Sequence, residues 1–153
     1  GFRWGTTVLP GQTITMDNVM DQTCITYPET YRREMKGSDI KAILEDVSDN
    51  LFNVDPYFQQ GGDMVRVGGL DYVCEPNQSI GNRISNMTLD DGTPIEADKN
   101  YVVAGWATVG SQSPGRPIWE VVADYLRDRK QIKIEKLNTP KLVGVEGNPG
   151  IAG

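Results

Sequence analysis

Histidine is absent from the 153 residues. It is the commonest transition-metal ligand and the usual general base near neutral pH, so its absence removes most metal-site and nucleophile-activation designs from this chain. Carboxylate-only sites for hard cations stay open. The nearest candidate, Asp90-Asp91-Gly92, reads instead as a hairpin turn, because Asp-Gly supplies the positive φ of a tight reversal. It also lacks the spaced oxygens of a calcium loop. Cysteine is scarce: Cys24 and Cys74 are too far apart for a CxxC redox or zinc motif, and are either two buried thiols or one disulfide. No apolar run approaches the ~20 residues that span a bilayer, and no signal-peptide pattern opens the chain. Basic residues are outnumbered, 15 against 21 acidic, giving a net charge of -6. That balance argues against a nucleic-acid partner, which needs a basic field to displace counterions from phosphates. Any anion this chain recognises has to be held locally.

The 17 glycines and 9 prolines point to many turns, and the length fits one domain. That domain is expected over residues 1–137, with residues 138–153, rich in Gly and Pro, as an extended tail. Gly1 leads directly into sequence that reads as functional, so a preceding segment is expected. Thr15 caps a short helix over Met16 to Met20, followed by a strand-like stretch from Cys24 to Tyr27. Ser38 to Asn50 is the first strong helix: Ile40, Ile43, Leu44, Val47 and Leu51 recur at helical spacing, with Lys41, Glu45 and Asp46 facing out. Asp63 to Glu75 alternates with period two around Gly68-Gly69, placing Leu70, Tyr72 and Cys74 on one face. Ile84 to Leu89 turns at Asp91-Gly92 and pairs with the segment reaching Tyr101. Tyr101 to Trp106, apolar on both faces, is expected as a central strand. Pro117 opens a helix striped by Ile118, Val121, Val122, Tyr125 and Leu126, ending in the solvated cluster Arg127-Asp128-Arg129-Lys130. Gln131 to Leu137 alternates as a last strand. Helices and hairpins in separate runs give an α+β class, with mixed sheets and packed helices.

The order of these parts resembles the C-terminal domain of 5'-nucleotidases over about residues 1 to 130. The opening Gly1-Phe2-Arg3, the Lys36-Gly37 entry to a helix, the Gly-Gly-then-strand passage, the hairpin and the aromatic-ended strand carry the resemblance. Within that family the chain is most similar to the Sox-type thiosulfohydrolases, through Tyr27-Pro28-Glu29-Thr30-Tyr31, the run from Ile43 to Asn53, and the run from Gln59 to Gly69. The resemblance implies a periplasmic substrate-binding half with no catalytic residue of its own. Its N-terminal metallophosphatase-like domain would hold two divalent metals, with manganese expected. The substrate implied is an S-sulfonate on the cysteine of a sulfur-carrier protein, hydrolysed to sulfate. Nucleotide-cleaving members follow the aromatic-ended strand with Asn-Phe and Gly-Gly-Asp-Gly, whose Asp meets the ribose. Here the stretch is Gly105-Trp106-Ala107-Thr108-Val109-Gly110-Ser111-Gln112, without that Asp.

The resemblance places Arg3 on the anionic group being cleaved, a role that suits a guanidinium because its fork of donors matches two oxygens and stays charged. Read without it, Arg3 is a surface arginine at a terminus. Trp106 is a stacking platform or a packed strand-end residue. Tyr31 stands near the family's other aromatic, and Trp4 either lines the cleft beside Arg3 or covers an apolar edge. Asp63 and Arg66 read as strand-edge charges. Two other readings stay open: a 5'-nucleotidase or UDP-sugar hydrolase domain, and a stand-alone module for anions or peptide tails. The first expected outcome concerns metal. Titration of this chain with manganese or zinc by calorimetry should show no stoichiometric uptake, and a submicromolar site would overturn the assignment of the metals elsewhere.

Overall fold

Thr15 starts the first helix because its hydroxyl accepts the Asn18 amide, while the Asn18 side chain accepts the Thr15 amide in return. That helix, α1, spans Met16–Thr23 in the computed structural model, which describes residues 7–106 and 115–147. The remaining elements are β1 (Tyr31–Lys36), α2 (Gly37–Phe52), a 3-10 turn (Pro56–Phe58), β2 (Leu70–Cys74), β3 (Ile84–Leu89), β4 (Asn100–Gly105), α3 (Ile118–Arg129) and β5 (Lys141–Leu142). The fold is α+β. The chain divides into two compact units, one formed by Gly1–Glu34 with Val102–Glu135, the other by Met35–Tyr101 with Lys136–Gly153.

In the first unit α1 packs against α3, and β4 pairs with β1. β4 is therefore not the central strand its apolar run suggested. Its exposure alternates along the strand, with Val102 open to solvent. Residues 24–27 form no strand; regular extended structure begins at Tyr31. Cys24 is exposed and Cys74 buried, both as free thiols, so neither the disulfide nor the pair of buried thiols is found. α3 buries Ile118 and Ala123, while Val121 and Tyr125 face solvent, a rotation of the expected stripe toward the small residue that permits close approach.

The second unit is built around α2 and a three-stranded sheet ordered β3-β2-β5. β2 and β3 are antiparallel, with Leu70 opposite Leu89, Cys74 opposite Ile84, and a bulge between Asp71 and Val73. Residues 63–69 are not strand; Gly69, at φ +79°, turns the chain into β2. Leu44, Tyr72, Cys74 and Ile84 form the core, flanked by Ile40, Phe52, Met64, Val67, Leu70 and Met87. Lys36 offers α2 no side-chain cap. The carbonyls of Lys99 and Ala97 accept the Gly37 and Ser38 amides instead. Gly37 is needed for that approach: a Cβ there would overlap the Glu96 carbonyl oxygen and come within 2.7 Å of Ile95.

Glu45 does not face out. It is 4% exposed, and its carboxylate accepts the amides of Gly81 (2.8 Å), Arg83 (3.3 Å) and Ile84 (2.8 Å). One turn on, Ser48 is fully buried and donates to the Glu45 carbonyl. Arg83, 3% exposed, donates to Asp49 at 2.6 Å and to the carbonyls of Phe52 and Pro76 at 3.2 Å each. The hydrogen bonds from Arg83 and then Asn53 hold the Asp49 carboxyl below the usual aspartate range. A depressed folded value means this stabilisation is present above about pH 4 and is lost as pH falls below it.

Residues 131–137 form no strand. Beyond them the chain is tied to the second unit. Lys136 bridges Asp71 (2.6 Å) and Asp90 (2.7 Å), Asn138 donates to both carboxylates and accepts the Gly69 amide, and β5 runs parallel to β2. Both aspartates are held low, first by Lys136 and then by Asn138. Asp91 does form the expected turn, with Gly92 at φ +83° and the Thr93 amide on its carboxylate, but across it β3 meets only residues 93–95 and not the segment reaching Tyr101, which pairs with β1 as β4.

The Glu45 arrangement gives the second expected outcome. Glu45→Ala strands three amides away from water and should lower stability by roughly 3 kcal/mol or more. Tyr72→Phe should cost little or stabilise, because the buried Tyr72 hydroxyl has no partner among the described residues. Denaturant melts of both variants test this, and an unchanged midpoint for Glu45→Ala would refute it.

Candidate functional site

Successive strand side chains point to opposite faces, so Tyr31 and Arg33 share one face of β1. The guanidinium of Arg33 lies over the Tyr31 ring at 4.8 Å. The ring itself is pressed on Gly105, the last residue of β4: a Cβ there would lie 2.7 Å from the Tyr31 hydroxyl and 2.9 Å from Cζ. Trp106 follows immediately and is 38% exposed. Glycine at 105 thus leaves the room that the hydroxyl end of the Tyr31 ring occupies at the strand end, one residue before Trp106.

The approach to Tyr31 is fixed from behind. Glu29 bridges Pro117, the Thr30 amide and hydroxyl both donate to the Arg116 carbonyl (3.0 and 2.8 Å), and Ile118 donates to Pro28. Gly115 is required there, since a Cβ would overlap the Thr30 carbonyl. Arg116 is held by Glu120 (3.2 Å) and Asp124 (2.7 Å), and the hydrogen bond to Asp124 raises its pKa further.

Of the residues picked out from sequence, the fold brings together Tyr31 and the strand end that bears Trp106. Arg3 and Trp4 lie outside the described residues, as do residues 107–112. Asp63 and Arg66 are exposed and pair at 3.4 Å. Arg33 was missed, although its i, i+2 spacing from Tyr31 is a legible strand signal. In the second unit a cleft of about 310 Å³ opens between the first turn of α2 and β3, lined by Ser38, Lys41, Asn86 and Ala97 among others; it contains none of the predicted site residues. Among the described residues no group of three or more His, Cys, Asp or Glu could hold a metal, and no helix is long and apolar enough to cross a membrane.

Residues 1–121 match the family described as 5'-nucleotidase, C-terminal domain. The chain belongs to that family. Among solved structures it is similar to a Thermus thermophilus sulfate thiohydrolase SoxB in complex with glycerol, at 40% identity over 93% of this chain and 27% of that one, with a TM-score of 0.80. It shares its fold with a Thermus thermophilus 5'-nucleotidase precursor (17% identity, TM-score 0.63, 86% of this chain and 28% of that one). A Haemophilus influenzae NAD nucleotidase is similar in fold as well (14%, 0.61, 84% and 26%). No curated protein sequence matches. The chain therefore spans about a quarter of each of these proteins. As a 5'-nucleotidase-family C-terminal domain it presents Tyr31, Gly105 and Trp106 as one aromatic strand end.

The third expected outcome follows from the Tyr31 contact. Gly105→Ala should cost about 1–3 kcal/mol by overpacking. If the Tyr31 ring is the cause, Tyr31→Ala should remove most of that penalty in the double variant, a coupling that thermal melts read directly. Additive losses would show that the strain lies elsewhere.

Proposed function

We propose that this chain is the substrate-binding domain of a periplasmic thiosulfohydrolase of the SoxB kind, which releases sulfate from an S-sulfonate on a carrier-protein cysteine. The observation that carries the reading is the 40% identity with SoxB across 93% of the chain, set against 14–17% for the two nucleotidases. The missing Asp after Trp106 supports it, because a site built to hold a ribose hydroxyl needs a partner for it.

The donor set of this chain does not fit a two-metal centre, since it has no histidine and no three of the described Cys, Asp or Glu side chains come together. The two metals, manganese by resemblance, belong to the N-terminal metallophosphatase-like domain. This chain's residues bind and orient. Arg3 neutralises the sulfonate oxygens through two parallel donors. Tyr31 and Trp106, and Trp4 beside Arg3, shape the channel for the carrier's tail. By itself the chain hydrolyses nothing.

The fourth expected outcome compares substrates on the full-length protein. Its kcat/KM for the carrier S-sulfonate should far exceed that for AMP or a UDP-sugar. Arg3→Ala should reduce it by about one to two orders of magnitude, the worth of a charge-assisted hydrogen bond, with Arg3→Lys between and melting temperatures unchanged. Comparable values for AMP and the carrier would leave the family assignment and remove the thiosulfohydrolase. Turnover by neither would favour a stand-alone binding module.

A further inference from the structure

The chain is acidic, and its described arginines are mostly spoken for. Arg66 pairs with Asp63, Arg83 with Asp49, Arg116 with Glu120 and Asp124, and Arg127 with Asp124. Arg129 stacks on Tyr125 at the C-terminal end of α3, where the helix dipole accounts for a cation. Arg33 is different. It is exposed, forms no salt bridge among the described residues, and lies over Tyr31. A guanidinium drawn over a ring keeps its charge and its N–H donors, which a further anion can still engage. Arg33 shares a strand face with Tyr31, whose ring packs closely on Gly105.

We propose that Arg33 is a specificity-determining residue of the substrate surface. It lies over the Tyr31 ring and offers its charge to an anionic group of the substrate. This rests on the reading of Tyr31 and Trp106 as the substrate-binding strand end. The ligand chemistry is a sulfonate, carboxylate or phosphate on an extended substrate. In a chain of net charge -6 such a group needs a local cation to approach, and Arg33 supplies one that pairs with no carboxylate among the described residues. Losing a contact that is made equally before and during reaction raises KM and leaves kcat unchanged.

The experiment uses the full-length protein with two probes, a short peptide carrying an S-sulfonated cysteine and AMP. Arg33→Gln should raise KM for the peptide about tenfold, with kcat within about twofold. Arg33→Lys should recover part of the loss, and the effect should shrink as salt is added. Arg129→Gln removes the same charge from another ring-stacked arginine and should leave KM unchanged. An unchanged KM in Arg33→Gln for whichever probe is turned over, or a loss matched by Arg129→Gln, would overturn the role of Arg33. If AMP alone is hydrolysed, the thiosulfohydrolase reading fails, while a tenfold rise in the KM for AMP would still uphold Arg33.

Discussion

Three backbone amides, those of Gly81, Arg83 and Ile84, converge on the carboxylate of Glu45. A buried carboxylate is costly unless its oxygens are satisfied, and a loop that dives into a core is costly unless its amides are. Each cost is met by the other. The consequence is positional: the third turn of α2 is fixed to the start of β3, and Ile84 is thereby delivered fully buried among Leu44, Tyr72 and Cys74. Arg83 adds a second tie, reaching from the same loop to Asp49 and to the carbonyl of Phe52 at the end of the helix. Because α2, β2 and β3 share these contacts, loss of Glu45 would loosen the sheet as well as the loop.

The same unit handles its exposed β2 edge by covering it with its own C-terminal segment. An unpaired strand edge invites association with other chains. Here β5 takes the edge, and Val143 donates to the Cys74 carbonyl. A two-residue strand could not hold by pairing alone. Lys136 and Asn138 bind the two aspartates on β2 and at the hairpin turn, and Asn77 reaches the Gly144 carbonyl. The tail is thus held by side-chain chemistry more than by strand length. This is why its Gly- and Pro-rich sequence reads as loose.

Legibility followed the kind of interaction. The Thr15 cap, the extent of α2, the Leu70-Tyr72-Cys74 face and the Asp91-Gly92 turn are set by neighbours within a few residues, and all were readable. Glu45 was misplaced because helical periodicity assigns charge to the outside, and nothing local shows that a loop nearly forty residues away will bring three donors to it. Tyr101 to Gly105 looked central because apolar residues occupy both faces, yet pairing with β1 leaves Val102 open. The stripe of α3 was rotated for a similar reason: the buried face carries Ala123 rather than Tyr125, and periodicity alone cannot weigh a small residue against a large one.

The aromatic strand end combines both kinds of information. Tyr31 and Trp106 stand out in sequence by type, but the contact that joins them runs through a residue with no side chain. Gly105 has value there only because it leaves room for the Tyr31 ring. Close packing on a glycine restrains a ring before any ligand arrives, which lowers the entropy cost of a contact made to it. The backbone behind Tyr31 is held by Thr30 and Arg116, whose own guanidinium is occupied by Glu120 and Asp124. With that arginine engaged in positioning, Arg33 lies over the ring with no salt bridge among the described residues. A cation placed beside an aromatic surface offers an anion a local attraction, even on a chain whose overall charge repels it.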